Sequence, residues 1–312
     1  MSTQFSKLAL IGIGLIGSSI ALAARRHGLA QTIAISTRKS ETLAEAKALN
    51  LGDLYTLDAA EAVQGADLVI ICTPVGAYET VMRTIAPALE RGTILSDVGS
   101  VKGHVVRTLA PLVPQGVHLI PGHPLAGTEH SGPSAGFADL FAGRWCVLTP
   151  CAEIDPAQTE KLARFWRAMG SQVESMDAAH HDMVLAITSH IPHLVAYNIV
   201  GTVADLEAAT QSEVIKFSAS GFRDFTRIAA SDPVMWRDVF LTNREAVLEM
   251  LGRFSEDLSV LQRAVRTGDG PALEAMFTRT RAIRRSIISA GQETAAPDFG
   301  RPHETVSPPK TD

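Results

Sequence analysis

Four groups of residues carry the side chains that could do chemistry. The first is a glycine pattern. Gly12, Gly14 and Gly17 form G-x-G-x-x-G directly after the apolar run Leu8–Ile11 and before a helical pattern beginning near Leu15. In that setting Gly12 permits a tight turn, Gly14 lets backbone approach a pyrophosphate, and Gly17 lets helix and strand pack closely. The helix start at Leu15 and Ile16 then offers free N–H groups and a positive dipole end to phosphate. A glycine turn without ligand is the plainer alternative, but the strand before it and the helix behind it favour a dinucleotide.

A dinucleotide's ribose is read about 20 residues further on, at the end of the second strand. Here that strand ends in Ser36-Thr37-Arg38, with no acid to hold a 2′-hydroxyl. Arg38, with Ser36 and Thr37, suits a 2′-phosphate, so NADP is expected as cofactor, with NAD the alternative. Arg38 as a merely solvated charge is the competing view. Thr73-Pro74 and Asp97–Lys102 each follow a strand, so both face the crevice where such sheets bind ligands.

The other groups can move protons and hold anions. Asp97-Val98-Gly99-Ser100-Val101-Lys102 places Ser100 at a strand end. Gly122-His123-Pro124-Leu125-Ala126-Gly127-Thr128-Glu129 places His123 just past another. Histidine is the side chain poised near neutral pH, so His123 is a candidate proton acceptor, against the plainer reading of a structural imidazole. In Ser189-His190-Ile191-Pro192-His193, Ser189 and His193 are four apart and share a helix face. Arg227, in Gly221-Phe222-Arg223-Asp224-Phe225-Thr226-Arg227, has the planar fork that suits a carboxylate, against the alternative of an ion pair with Asp224. His181, twelve residues before His193, is expected further from the chemistry, and Trp236 is expected as a core anchor. Lys102 is expected to cap or pair locally. A metal is not expected, because the histidine pairs lack three or four converging ligands.

The elements that must position these groups fall into two textures. Leu8–Ile13, Thr32–Ser36, Leu68–Thr73, Thr93–Val98, Val117–Ile120 and Trp145–Leu148 read as strands, mostly apolar at consecutive positions, as strands covered on both faces are. Helical patterns such as Ser18–His27, Lys39–Leu49 and Ala77–Leu89 lie between them. This is the pattern of an α/β, Rossmann-type doubly wound parallel sheet. From about Ala178 only helical patterns follow: His180–Ala208, Gln211–Phe217, Pro233–Thr267 and Gly270–Ile288, with a kink expected at Pro192. The expected domains are thus 1–178 for the dinucleotide and an all-α C-terminal domain, 179–288, for substrate and dimerisation. The tail, 289–312, has little to bury and is expected to be disordered.

Composition narrows the class further. The chain has 312 residues, 46% apolar, with net charge −5, so bulk charge gives no reason to expect nucleic acid or anionic membrane as partner. Three cysteines without CxxC spacing argue against a disulfide framework. No signal peptide and no apolar stretch of about 18 residues is read. A cytoplasmic location is expected. Val184–Val203 and Val239–Leu261 carry apolar residues on more than one helix face, so a homodimer is expected.

Taken together and in order, DVGSVK, GHPLAGTE, SHIPH and GFRDFTRIA over about residues 7–288 resemble the prephenate dehydrogenase family, including its arogenate and cyclohexadienyl relatives. The resemblance implies oxidative decarboxylation of a cyclohexadienol, prephenate or arogenate, with hydride passing to NAD(P). It implies that His123 contacts the reacting hydroxyl, that Ser100 lies beside it, and that Arg227 binds substrate with Asp224 as its support. It places Ser189 and His193 along the active site. Another Rossmann dehydrogenase acting on a β-hydroxy acid, or a non-catalytic dinucleotide sensor, would share the glycine loop but not these motifs together.

Overall fold

The computed structural model describes residues 4–128, 130–151, 153–205, 213, 216 and 220–289. Glu129, most of the helix expected over 211–217, and the tail from residue 290 lie outside the described residues. The chain divides into two compact units, residues 1–250 and residues 251–312.

In the first unit β1 (Phe5–Ile11), α1 (Leu15–Arg26), β2 (Ala30–Ser36), α2 (Ser40–Ala48), β3 (Leu54–Thr56), α3 (Ala59–Val63), β4 (Leu68–Ile71), α4 (Tyr78–Ile85), β5 (Ile94–Asp97), α5 (Lys102–Leu109) and β6 (His118–Leu119) follow in turn. The strands form one parallel sheet in the order β3-β2-β1-β4-β5-β6. Strand order reverses between β1 and β4, which opens a crevice beyond their carboxyl ends. Every residue of β4 and β5 is buried, because helices cover both faces. Two apolar clusters lie on the two sides of the sheet, one around Leu8, Leu10 and Ile70, the other around Ile11, Val69 and Ile71.

A second sheet is built from β7 (Gly122–Pro124), β8 (Trp145–Leu148) and β9 (Gln172–Ser175), with α6 (Pro156–Ala168) between the last two. β7 runs antiparallel to β8, and His123 pairs with Val147. Sequence reading placed His123 just past a strand end; the structure puts it inside a short strand. Three residues starting at a glycine and ending at a proline carry too little periodicity to be read as a strand. β3 is likewise too short to read, and β9, Gln172-Val173-Glu174-Ser175, is polar and mostly exposed, unlike the apolar runs that read as strands.

Helices follow: α7 (Ala178–Leu185), α8 (Ile191–Ala204), α9 (Ser220–Thr226), α10 (Pro233–Thr242), α11 (Arg244–Thr267) and α12 (Gly270–Ser289). Asp177 caps α7, accepting from the backbone N–H groups of Ala179 and His180. The kink expected at Pro192 is a π-helical turn, Ala186–His190, with Pro192 in the first turn of α8. His181 and His190 are nine residues apart, which in a regular helix sets side chains on opposite faces. The wide turn absorbs one residue and brings them to roughly 80° apart; both are fully buried. The single helix expected over Pro233–Thr267 breaks at Asn243, which is itself buried.

Contrary to the sequence expectation, the helical run Ala178–Ala204 is long and apolar enough, by length and composition, to cross a membrane. Yet His181, Asp182 and His190 within it are buried and bond to protein groups: His181 to His123, Asp182 to the Lys102 N–H, and His190 Nδ1 to Asn243. The first half of the run thus has these polar side chains against protein, while 28% of its most apolar stretch is buried.

Candidate active site

The glycine loop has the shape its sequence implies. Gly12 adopts φ +100°, and a Cβ there would sit 2.8 Å from the Cys72 backbone. A Cβ on Gly17 would sit 2.5 Å from the Gly12 carbonyl oxygen. Around Gly14, by contrast, no described atom lies within 4 Å of a Cβ position, and Leu15 and Ile16 open α1 half-exposed behind it. Two glycines are thus locked by protein and the third faces open space, as a pyrophosphate cradle requires. The Thr73 hydroxyl beyond β4 is buried with no hydrogen-bond partner among the described residues, and Pro74 follows it exposed. Such an unmet group suits a ligand. Ser36 is buried at the end of β2, Thr37 is half-buried and Arg38 is exposed. These residues fit a nicotinamide dinucleotide.

Across the crevice stands a chain of side chains. His123, buried, has Nδ1 2.9 Å from His181 Nε2. His181 Nδ1 lies 2.9 Å from Asp182 Oδ1. Asp182 in turn accepts the backbone N–H groups of Lys102, at 2.7 Å, and Gly103, at 2.8 Å. Those are first-turn donors of α5, so the carboxylate of α7 caps α5. Gly103 makes room for it: a Cβ there would lie 2.8 Å from Asp182 Oδ2.

Protonation follows from these contacts. Burial pushes Asp182 up, but the bonds from His181, Lys102 and Gly103 outweigh it, and the carboxyl lies below its ordinary value. It is therefore an acceptor. Burial lowers the pKa of His181, and burial followed by the charges of His181, Lys102 and His190 pushes His123 well below 6.5. Both rings are neutral near pH 7. His181 then donates from Nδ1 to Asp182 and accepts at Nε2 from His123 Nδ1–H. His123 Nε2 is left with a lone pair, an acceptor for a proton.

The helices supply the rest. His193 donates from Nδ1 to the Ser189 carbonyl at 2.8 Å and stacks on Trp236, ring centroids 3.6 Å apart. Burial pushes His193 down, the Ser189 carbonyl pulls it back, and the charge of Arg227 adds to the lowering. Arg227, half-buried, opens a 3-10 turn after α9, and Tyr197 on α8 donates to Ser231 just beyond that turn at 2.8 Å. His190, pushed down to about 4 mainly by burial, feels His193 and in turn acts on His123. Ser100 is half-buried in the turn between β5 and α5. Trp236 is buried, as expected of an anchor.

One reading needs correction, and one residue was missed. His181, expected away from the chemistry, touches His123; its distance along the helix from His193 says nothing about its distance from a residue of the other sheet. Asp224, expected to support Arg227, is exposed, with Arg223 Nε 3.8 Å from its carboxylate. Asn243 was missed altogether: its side-chain amide donates to the Asp182 carbonyl at 2.9 Å and meets His190 Nδ1 at 3.1 Å. The only hint was a polar residue inside an apolar helical pattern.

Two family models cover most of the chain: the prephenate dehydrogenase nucleotide-binding domain matches residues 20–175, and the prephenate dehydrogenase dimerization domain matches residues 177–279. A cyclohexadienyl dehydrogenase of Zymomonas mobilis is 41% identical over 285 residues, 91% of this chain and 97% of that protein. The chain belongs to the prephenate dehydrogenase family. It is an NAD(P)-dependent dehydrogenase. Among solved structures, prephenate dehydrogenase of Aquifex aeolicus, in complex with hydroxyphenyl propionate and NAD+, is 31% identical with TM-score 0.83, covering 92% of this chain and 99% of that one. Synechocystis arogenate dehydrogenase is 27% identical with TM-score 0.76, covering 90% and 99%. The glycine loop at residues 12–17 precedes the segment the nucleotide-binding model of the family matches, so its assignment here stands on geometry.

Proposed function

We propose that the chain oxidises prephenate or its amino counterpart arogenate, with residues 1–178 holding the cofactor and 179–288 the substrate. NAD(P), when bound, accepts the hydride that leaves the hydroxyl-bearing ring carbon. His123 Nε2 takes the hydroxyl proton as the carbonyl forms. Loss of carbon dioxide from the opposite carbon returns an electron pair to that oxygen as the ring becomes aromatic, and His123 gives the proton back. The product is 4-hydroxyphenylpyruvate or tyrosine. Ser100 donates to the reacting oxygen. Arg227 binds a carboxylate through its planar fork, and Ser189 and His193 form a polar wall beside the side chain. The neutral imidazole with its lone pair turned away from the Asp182 chain carries this reading. Steady-state turnover of prephenate and of arogenate tests it; no reduced nicotinamide formed with either would reject it.

At the cofactor end Arg38 favours NADP. Arg38→Ala is expected to lower kcat/KM for NADP and leave NAD nearly unchanged; a retained NADP preference rejects the role. The family's dimerization domain and the exposed side chains of Leu258, Val260, Phe277 and Ile283 support a homodimer. Light scattering showing a stable monomer at micromolar concentration would contradict it. We place the enzyme in the cytoplasm; fractionation with membranes or export would contradict that.

A further inference from the structure

Lys102 is fully buried, and the proposed reaction does not use it. Its ammonium donates to Asp97 Oδ2 at 2.5 Å and to the Gly122 carbonyl at 2.6 Å. Gly122 is the residue before His123. The backbone N–H of Lys102 itself donates to Asp182 Oδ1 at 2.7 Å. One residue therefore grips the strand that carries His123 and also the carboxylate at the far end of the same hydrogen-bonded chain. Asp97 is held in turn by the Tyr78 hydroxyl, at 3.1 Å, and by the Gly99 and Gly122 backbone N–H groups, at 2.8 and 3.2 Å. A buried ion pair is weak evidence for stability, because desolvation offsets much of its attraction. Its retention here calls for another explanation.

We infer that Lys102 is a positioning residue for the reaction, fixing His123 and Asp182 relative to one another so that His123 Nε2 is presented to substrate in one orientation. The inference rests on His123 as the base. The charged and titratable groups around that ring are His181 and Asp182 on α7, His190 on the π turn, Lys102 on α5, Asp97 on β5 and the uncharged thiol of Cys146 on β8. Among them, the Lys102 charge joins burial and His181 in keeping His123 neutral.

Replacing lysine alone would strand the Asp97 carboxylate, so the test uses two paired variants. Lys102→Met/Asp97→Asn removes charge and donor together. Lys102→Gln/Asp97→Asn removes charge but keeps a donor for Gly122. The first should lower kcat by about 10–10²-fold, as a small misplacement of a reacting group does, with KM for cofactor unchanged. The second should recover much of that loss. In both, the acid limb of kcat/KM against pH should move to higher pH. Wild-type kcat and an unmoved acid limb in whichever variant folds would overturn the inference. If His123→Asn is still crippled in that case, only the role of Lys102 falls; if His123→Asn turns over normally, the base itself was wrong.

Discussion

The two ends of the site are built differently. His123 is enclosed: it sits in a strand, is 7% exposed, and each contact behind it is buried and made within one unit of the chain. Arg227, half-buried, stands on a short turn, two residues after Phe225, which is 44% exposed. The contrast teaches where each function is decided. The proton acceptor's state is set by intrachain burial, and should hold whatever surrounds the molecule. The proposed carboxylate clamp is half-buried on a short turn, and in the proposed homodimer a second chain would stand near it.

The contrast can be sharpened first at the enclosed end. Asp182→Asn should lower kcat by about 10²–10⁴-fold, the range of acid–base catalysis. An amide at 182 can donate to His181 Nδ1, reversing both tautomers and turning a hydrogen toward substrate at His123 Nε2. Cofactor KM should stay put. Kinetics with wild-type kcat would show that the chain of rings is only structural.

The next effect concerns stability. His190 is buried and neutral, with a pKa of about 4 against 6.5 when unfolded. Below pH 6.5 the unfolded state binds more protons than the folded one, so stability rises with pH. The contribution is fully present above the unfolded value and is lost as pH falls through the folded one, roughly 3 kcal/mol for this ring alone. His123, His181 and His193 are shifted the same way. Thermal melts between pH 7 and pH 4 should show a steep fall in Tm, and a flat profile would mean that these rings are not buried in solution.

The smallest of the three is at the open end. Arg227→Ala should raise substrate KM by about 10–10²-fold, equivalent to one charge-assisted hydrogen bond of ~1.5–3 kcal/mol. KM for NAD(P) should barely change. A defect confined to cofactor would remove the clamp and with it the comparison.

Legibility in the sequence followed the same divide between local and distant. The glycine loop was readable because its three roles lie within six residues and a strand and helix flank them. The parallel sheet was readable because strands buried on both faces are apolar at consecutive positions. The Asp182–His181–His123 chain was not, since it joins residues 58 apart through packing alone. The same is true of Asn243, 61 residues from Asp182 and 53 from His190. The π turn was half-readable: Pro192 signals a disturbance, but nothing local says that the helix will widen rather than bend. Lys102 reads as capping or pairing locally, and its ion pair with Asp97, five residues earlier, is local; its bonds to Gly122 and Asp182, 20 and 80 residues away, leave no mark in the sequence.

The most direct test is the pH dependence of prephenate-dependent nicotinamide reduction by the wild-type enzyme and by His123→Asn. The wild type should keep full kcat/KM from neutral pH down to below 6.5, where the unperturbed imidazole would already be half-protonated, and then lose it along a single acid limb. The variant should fall in kcat by about 10²–10⁴-fold and show no such limb. A variant that turns over like the wild type, with the same limb, would contradict the account.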